Sequence, residues 1–259
     1  MILAGIGPSK NYQRIISLVP SITELLSDLD LEKEVIAITK FCVHPTVWFK
    51  GKERIGGTKT VDIEKVRGLC PDLIIANKEE NTKDQVEELA HDFDVLLTDV
   101  NDLKGACMMI SNIGVLTNRS KTAALLSGKI KIRFKELTVP PKKIKAAYLI
   151  WQNPFMAAGA DTFINDMIVR CGMENIFSNT GRYPEITLKE LSNLNCEVVL
   201  LSSEPYPFKE KHIPEISTQL PGIKIMLVDG EMFSWYGSRL MKAADYFESL
   251  ITKLQAEVQ

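Results

Sequence analysis

The chain has 259 residues, 45% hydrophobic and 25% charged, with 31 basic and 33 acidic residues for a formal net charge of -2. That balance excludes disordered and fibrous classes, and it leaves no field of one sign to hold a polyphosphate, so a general nucleic-acid binder is excluded as well. No stretch approaches the roughly 18 uninterrupted apolar residues of a membrane helix, so no membrane span is expected. The partner expected is a small molecule or a protein.

In chain order, the opening residues 1–10, MILAGIGPSK, place their basic residue last and break their apolar run with glycine. They do not read as a secretory leader, so the chain as given is expected not to be exported. Short apolar runs rich in β-branched residues at 14–19, 34–39, 73–76 and 94–98 then alternate with helical patterns, which predicts a parallel α/β sheet. The segment 102–137 has no proline and a single apolar stripe through Met109, Ile113, Leu116, Ala123, Leu126, Ile130, Phe134 and Leu137, which predicts one helix. At 1.5 Å per residue it would run to about 50 Å, longer than a small domain is wide, and so is expected to bridge two bodies. Pro140 and Pro141 stop it. Lys129, Lys131, Arg133 and Lys135 suit the negative end of its dipole and read as a solvated helix face rather than an anion site. The alternation resumes with runs at 144–150, 197–201 and 223–228.

The two halves share a pattern. DIEKVRGLCPDLII (62–75) and TLKELSNLNCEVVL (187–200), offset by 125 residues, align Ile63 with Leu188, Val66 with Leu191, Leu69 with Leu194 and Leu73 with Val198. Each reads as a short helix turning through an acid, Asp72 or Glu197, into a buried strand. Chance likeness between any two helix–strand units competes with this reading, but with the lone long helix it argues for two similar lobes. The expected layout is α/β: a lobe at 1–101, a bridging helix at 102–138 and a lobe at 139–259.

Enzyme signatures are absent: there is no phosphate loop, no dinucleotide fingerprint after a strand, no G-x-S-x-G elbow and no H-E-x-x-H. The five cysteines are odd in number and none lies in a CxxC, so they read as reduced, mostly packing thiols. Ligands of open α/β sheets bind outside the carboxyl ends of the strands, which directs attention to the residues immediately after each run. After the first come Pro20 and Ser21, with Ser21 and Glu24 spaced as a capping box. After the second come Phe41, Cys42 and His44, and after the third Asn77. The later strand ends carry Trp151, Phe155 and Met156, then Glu204, then Phe233, Trp235, Tyr236 and Arg239. Aromatics gathered at loop ends suggest a large flat ligand that they stack on or wall. His44 is a wall residue or a metal ligand, and Arg239 either braces the last helix or meets a ligand carboxylate.

RIISLVPSITELL (14–26), IGGTKTVDIEKVRGLCPDLIIA (55–76), the proline-free helical segment, GADTFINDMIVRCGMENIF (159–177) and YPEITLKELSNLNCEVVLL (183–201) together resemble the helical-backbone substrate-binding proteins of ABC importers for vitamin B12, haem and ferric siderophores. The resemblance covers nearly the whole chain and is greatest to the cobalamin-binding branch. It implies two Rossmann-like α/β lobes joined by a single long backbone helix, a class III periplasmic-binding-protein-like fold, with ligand held between them. It implies a noncatalytic, monomeric receptor with no intrinsic cofactor, working outside the cytoplasm with an ABC permease. By position the binding residues would be Phe41, Tyr183, the Phe155–Met156 loop, Phe233, Trp235 and Tyr236, with Thr58 and Asn77 where cobalamin binders can carry tryptophans. Ser21, Asn77 and Glu204 would bond the ligand's rim, and His44 would approach its metal. The family docks through one acid on each lobe: Glu64 matches the first, and Lys189 with Glu190 beside it stands at the second. The alternatives are a cytosolic corrinoid or iron-chelate carrier and a chelatase-like enzyme using His44 with Glu204 or Glu231.

Overall fold

All seven β-branched runs named above form strands. The structure is a computed structural model that describes residues 1–3 and 10–257, so residues 4–9, most of the glycine-rich opening, lie outside it. The chain divides into two compact units. The first comprises Met1–Val100, Lys104–Lys131 and Trp235–Arg239, and the second Asn101–Leu103, Ile132–Ser234 and Leu240–Gln259.

The first unit contains, in order, β1 (Ile2–Leu3), β2 (Ile15–Ser17), α1 (Pro20–Asp28), β3 (Val35–Ile38), α2 (Thr46–Gly51), β4 (Glu53–Arg54), the hairpin β5 (Gly56–Gly57) and β6 (Thr60–Val61), α3 (Ile63–Leu69), β7 (Leu73–Asn77), α4 (Lys83–Asp92) and β8 (Val95–Thr98). Its main sheet has the order β1-β8-β7-β2-β3-β4, and every pairing is parallel. Parallel strands are covered on both faces, which is why Ile15–Ser17 and Leu73–Asn77 are buried at every position.

The helical segment differs from expectation. It is two helices, α5 (Leu103–Leu116) and α6 (Ser120–Glu136), not one over 102–138. Asn118 ends the first by taking a left-handed conformation at φ 56°, which asparagine tolerates better than most residues. Arg119 then fastens the turn, donating to the carbonyls of Leu29 and Asp30 and to the Glu34 carboxylate at 3.0, 3.1 and 3.1 Å. The helices fold back on one another: Ser127 Oγ donates to the Cys107 carbonyl at 3.4 Å, and a Cβ on Gly114 would lie 2.3 Å from that of Ala123. The extended 50 Å rod is therefore not formed. Most of this segment belongs to the first unit, as does Trp235–Arg239, so the expected boundaries at 101 and 138 are also displaced. The apolar stripe does face inward, with Met109, Ile113, Leu116, Ala123, Ile130 and Phe134 all buried.

The second unit holds β9 (Ile144–Trp151), β10 (Phe155–Ala157), α7 (Phe163–Arg170), β11 (Met173–Asn175), β12 (Glu185–Ile186), α8 (Leu188–Asn193), β13 (Val198–Ser202), α9 (His212–Gln219), β14 (Lys224–Val228), α10 (Gly230–Ser234) and α11 (Leu240–Glu257). The sheet order is β12-β10-β9-β13-β14, with β11 also on β9. Strands β9, β13 and β14 are parallel, while β10 runs antiparallel to β9 and β12. One face packs Leu149, Val199, Leu201, Ile216 and Leu220 into a core.

The repeat is structural. Units α3–β7 and α8–β13 leave their helices through left-handed residues at equivalent positions, Cys70 at φ 46° and Asn195 at φ 54°. Both then clamp the neighbouring strand with the acid: the Asp72 carboxylate accepts the N–H groups of Gln13 and Arg14 at 2.7 and 2.9 Å, and that of Glu197 accepts Lys145 N–H at 2.8 Å. Each acid's own N–H donates to a carbonyl of the same neighbour, Arg14 or Lys145.

The close approach at Gly114 generates a test of the helix turn-back. Gly114→Val should destabilise the protein by about 1–3 kcal/mol through overpacking, read as a lowered urea midpoint. Ser111→Ala on an exposed face of the same helix serves as the neutral comparison.

Candidate functional site at the carboxyl ends of the strands

In the first unit the chain reverses its direction across the sheet at β2, moving to β3 on one side and later to β7 on the other. Such a switch point opens a crevice beyond the strand ends. Helix α1 starts there, with Val19 as N-cap and Pro20 at its first position, and no side chain caps it. The expected capping box of Ser21 with Glu24 therefore does not form, because the fixed φ of Pro20 starts the helix two residues earlier than that box requires. Ser21 is buried within the first turn, and Glu24 turns to another task.

That task is Arg239. Its Nε donates to Glu24 Oε2 at 2.7 Å, with both side chains more than nine-tenths buried. The guanidinium also lies 4.8 Å from the Trp235 ring centre, and His44 meets the same ring edge-on at 5.7 Å. Gly237 makes the turn possible: its φ is +123°, and a Cβ there would come within 3.2 Å of the Ser21 carbonyl. Trp235, Tyr236 and Arg239 are thus buried rather than open, and Arg239 ties this segment to α1 through Glu24. Arg239 precedes α11 instead of beginning it, and the partner it meets is Glu24 of α1, which neither of the roles weighed for it named.

Phe41 stands apart, 51% exposed, with the Lys40 ammonium 5.2 Å from its ring centre. Thr58 and Asn77 are buried. Asn77 Nδ2 donates to the carbonyl and hydroxyl of Thr98, both at 3.1 Å, and its Oδ1 accepts Glu79 N–H. Asn81, which the sequence reading missed, ties this loop to the β5–β6 hairpin by donating to the Thr58 carbonyl at 2.8 Å and accepting Asn77 N–H at 2.9 Å. Its place one turn beyond a strand end was the available signal. Cys42 is packed between the hydroxyls of Thr23 and Thr39, and burial pushes its thiol up, away from nucleophilic chemistry.

In the second unit Trp151 ends β9 and is 41% exposed, its ring meeting Tyr206 edge-on at 5.7 Å. Tyr206 in turn packs on Phe208 and His212 at 4.7 and 5.7 Å. Phe155 and Met156 are half-buried on β10, and Tyr183 is half-buried with Arg182 5.9 Å from its ring centre. Glu204 accepts a hydrogen bond from Ser234 Oγ at 2.5 Å. With Ser203, Asp229, Glu231 and Tyr246 it lines an open concavity of about 550 Å³ beyond β13 and β14. Burial raises the Tyr246 phenol above its ordinary range, so it stays protonated at the rim. Phe233 is not a wall residue: it is wholly buried on α10, 5.0 Å from the Tyr148 ring and 4.8 Å from Phe247. The short helix after Asp229 turns it inward, a detail a loop reading could not give.

Among the described residues no group of three or more His, Cys, Asp or Glu side chains is placed to hold a metal ion. Glu64 projects from the first turn of α3, paired at 2.6 Å with Arg67, which also meets Glu88 and Asp92. Glu190 occupies the first turn of α8, where its carboxylate accepts the N–H and hydroxyl of Thr187 at 2.6 and 2.8 Å; the backbone bond first, then the hydroxyl, holds it below the usual carboxylate range.

Residues 15–220 match the model of the periplasmic binding protein family. The chain belongs to that family. It is 22% identical over 256 residues to a vitamin B12-binding protein of Pectobacterium atrosepticum, covering 94% of this chain and 90% of that one. Among solved structures, a possible iron-binding periplasmic solute-binding protein from Staphylococcus epidermidis superposes with a TM-score of 0.78 at 23% identity, covering 95% of this chain and 99% of the other. A periplasmic haem-binding protein of Vibrio cholerae gives 0.79 at 19% identity, covering 92% and 98%. These likenesses agree with the α/β class III architecture read from the sequence. Among the described residues no helix is long and apolar enough to cross a membrane.

The buried Glu24–Arg239 pair makes a prediction within this family framework. Glu24→Ala or Arg239→Ala alone should cost about 3–5 kcal/mol in urea unfolding, because each leaves a charge in the interior. The double variant Glu24→Ala with Arg239→Ala should cost clearly less than the sum of the two, and a simple sum would deny the coupling.

Proposed function

We propose that this chain is the substrate-binding protein of an ABC-type importer and that its ligand is a metal-bearing macrocycle or chelate, cobalamin first, then haem or a ferric siderophore. One observation carries the reading: of the aromatics at the strand ends, Phe41 and Trp151 are left 51% and 41% exposed while Phe233, Trp235 and Tyr236 are buried. Exposing a large ring at the carboxyl end of a strand wastes its burial unless something flat covers it. The relatives named for vitamin B12 and haem support a ring-bearing ligand.

In this reading the aromatic faces supply the contact area and polar groups choose the orientation. Glu204 and the hydroxyl of Tyr246 bond the periphery of the ligand from the concavity, while Phe155, Met156 and Tyr183 give half-buried apolar surface. The buried set of Ser21, Thr58, Asn77, Trp235 and Arg239, with half-buried Pro20, holds the strand-end loops in shape. His44, beside Trp235, is a wall residue whose imidazole can meet a ligand's metal. No reacting group is required of the chain: the ligand is bound and released. Delivery to a permease would use Glu64, and on α8 Glu190, whose carboxylate is already engaged by Thr187 and therefore adds little to docking.

Titration with cyanocobalamin, haemin and a ferric hydroxamate, followed in the visible spectrum, tests this. At least one should bind saturably. Phe41→Ala and Trp151→Ala should each weaken it by about tenfold, the equivalent of about 1.4 kcal/mol for a lost stacking face, without lowering the urea midpoint. If none of the three binds at high micromolar concentration, the reading fails.

A further inference from the structure

The ligand reading gives the basic run of α6 no role. The helix carries Lys121, Lys129, Lys131, Arg133 and Lys135 against a single acid, Glu136. Arg133 is occupied by Asp245 and Glu248 of α11. The four lysines are exposed. Among them the structure leaves two large apolar side chains in water, Leu125 at 67% and Ile132 at 56% exposure. Neither belongs to the buried stripe through Ala123, Ile130 and Phe134.

The spacing organises these residues. Seven positions are nearly two helical turns, so Leu125 and Ile132 stand one above the other on the same face. Lys121 lies one turn before Leu125 and Lys135 one turn after Ile132, extending the stripe at both ends. Lys129 lies about 40–60° to one side of it and Lys131 about 100–120° to the other, while Glu136, also exposed, stands one turn after Ile132 on the same line. An apolar seam framed by lysines whose alkyl stems can lie along it is the arrangement that seats a helix at a membrane interface, with the apolar side chains among the acyl chains and the ammonium groups at the headgroups.

We propose that α6 docks this protein on an anionic lipid surface. Charge complementarity selects the occupant: the exposed face carries four lysines against one acid, Glu136, on a chain whose overall formal charge is -2, so the basic character is local and not a general property of the molecule. The apolar seam distinguishes a bilayer from a nucleic acid or an acidic polymer, neither of which has an interior to receive Leu125 and Ile132. Each lysine near an anionic surface adds a modest attraction that salt screens, and the two apolar side chains add one that salt does not. Binding of this kind is reversible and places the receptor beside a membrane.

The test is sedimentation of the full chain with phosphatidylcholine vesicles made with and without about one third phosphatidylglycerol. The protein should pellet with the anionic vesicles and stay in solution with the neutral ones. Lys129→Glu with Lys131→Glu and Lys135→Glu should lower the partition coefficient by more than about tenfold, and Leu125→Ser with Ile132→Ser by about tenfold. Both sets should leave far-ultraviolet circular dichroism and the urea midpoint unchanged; were the charge variant to unfold, the Ser pair alone carries the test. Absence of binding to anionic vesicles overturns the proposal. So does unchanged binding by the Leu125→Ser, Ile132→Ser variant, or binding to heparin or RNA with the same dependence on the lysines and none on the apolar pair. The vesicle assay reads substitutions on α6 alone and the ligand titrations read Phe41 and Trp151, so the failure of one proposal is distinguishable from the failure of the other.

Discussion

A carboxylate holds the start of the central strand pair in each unit. Asp72 accepts two backbone N–H groups at the entrance to β2, and Glu197 accepts one at the entrance to β9, while each returns its own N–H to the same neighbour. Parallel strands lack a hairpin to set their register, so a bond made before the ladder begins decides which residues lie opposite one another. In the first unit Ile15 then faces Leu73, and in the second Val198 faces Ala146. Every later side chain on those strands inherits that register, including the last residues before the loops. An equivalent left-handed exit at Cys70 and Asn195 aims each acid at its target.

The strand ends depend on this register. Because β2, β3 and β7 run the same way, as do β9, β13 and β14, the loops that carry Pro20, Phe41 and Asn77, or Trp151, Glu204 and Asp229, collect at one edge of each sheet. Packing sorts those loops into two kinds. Trp235 and Arg239 are consumed by the contact with Glu24, His44 and the turn at Gly237, and Asn77 by the bonds that shape its loop. Phe41 and Trp151 are left with open faces. The functional proposal rests on this division between aromatics that stabilise the fold and aromatics that face solvent.

The strands, the repeat and the buried stripe were legible because burial on both faces leaves a run of β-branched residues and because a helical face leaves a period. The break at 117–119 was not legible for a related reason: the step from Leu116 to Ala123 is seven residues, so the apolar face continues in phase across a turn that reverses the chain. Gly114 and Asn118 were the remaining clues, one permitting close contact and the other a left-handed residue. Position along the chain identified which residues lie at strand ends, but not which way they point. Phe233 shows the difference, since one short helix carries it from the expected wall into contact with Tyr148 and Phe247. Likewise the pairing of Glu24 with Arg239 joins residues 215 apart, a separation that no local pattern reports.

The central claim is that the exposed rings at the strand ends are the ligand's contact surface. Hydroxyl-radical footprinting read by mass spectrometry measures it residue by residue, in the free protein and at saturation with whichever of cyanocobalamin, haemin or ferric hydroxamate binds. Phe41 and Trp151 should be oxidised readily in the free protein and strongly protected in the complex, while exposed Met108 on α5 reacts equally in both. Equal oxidation of Phe41 and Trp151 with and without bound ligand would contradict the account.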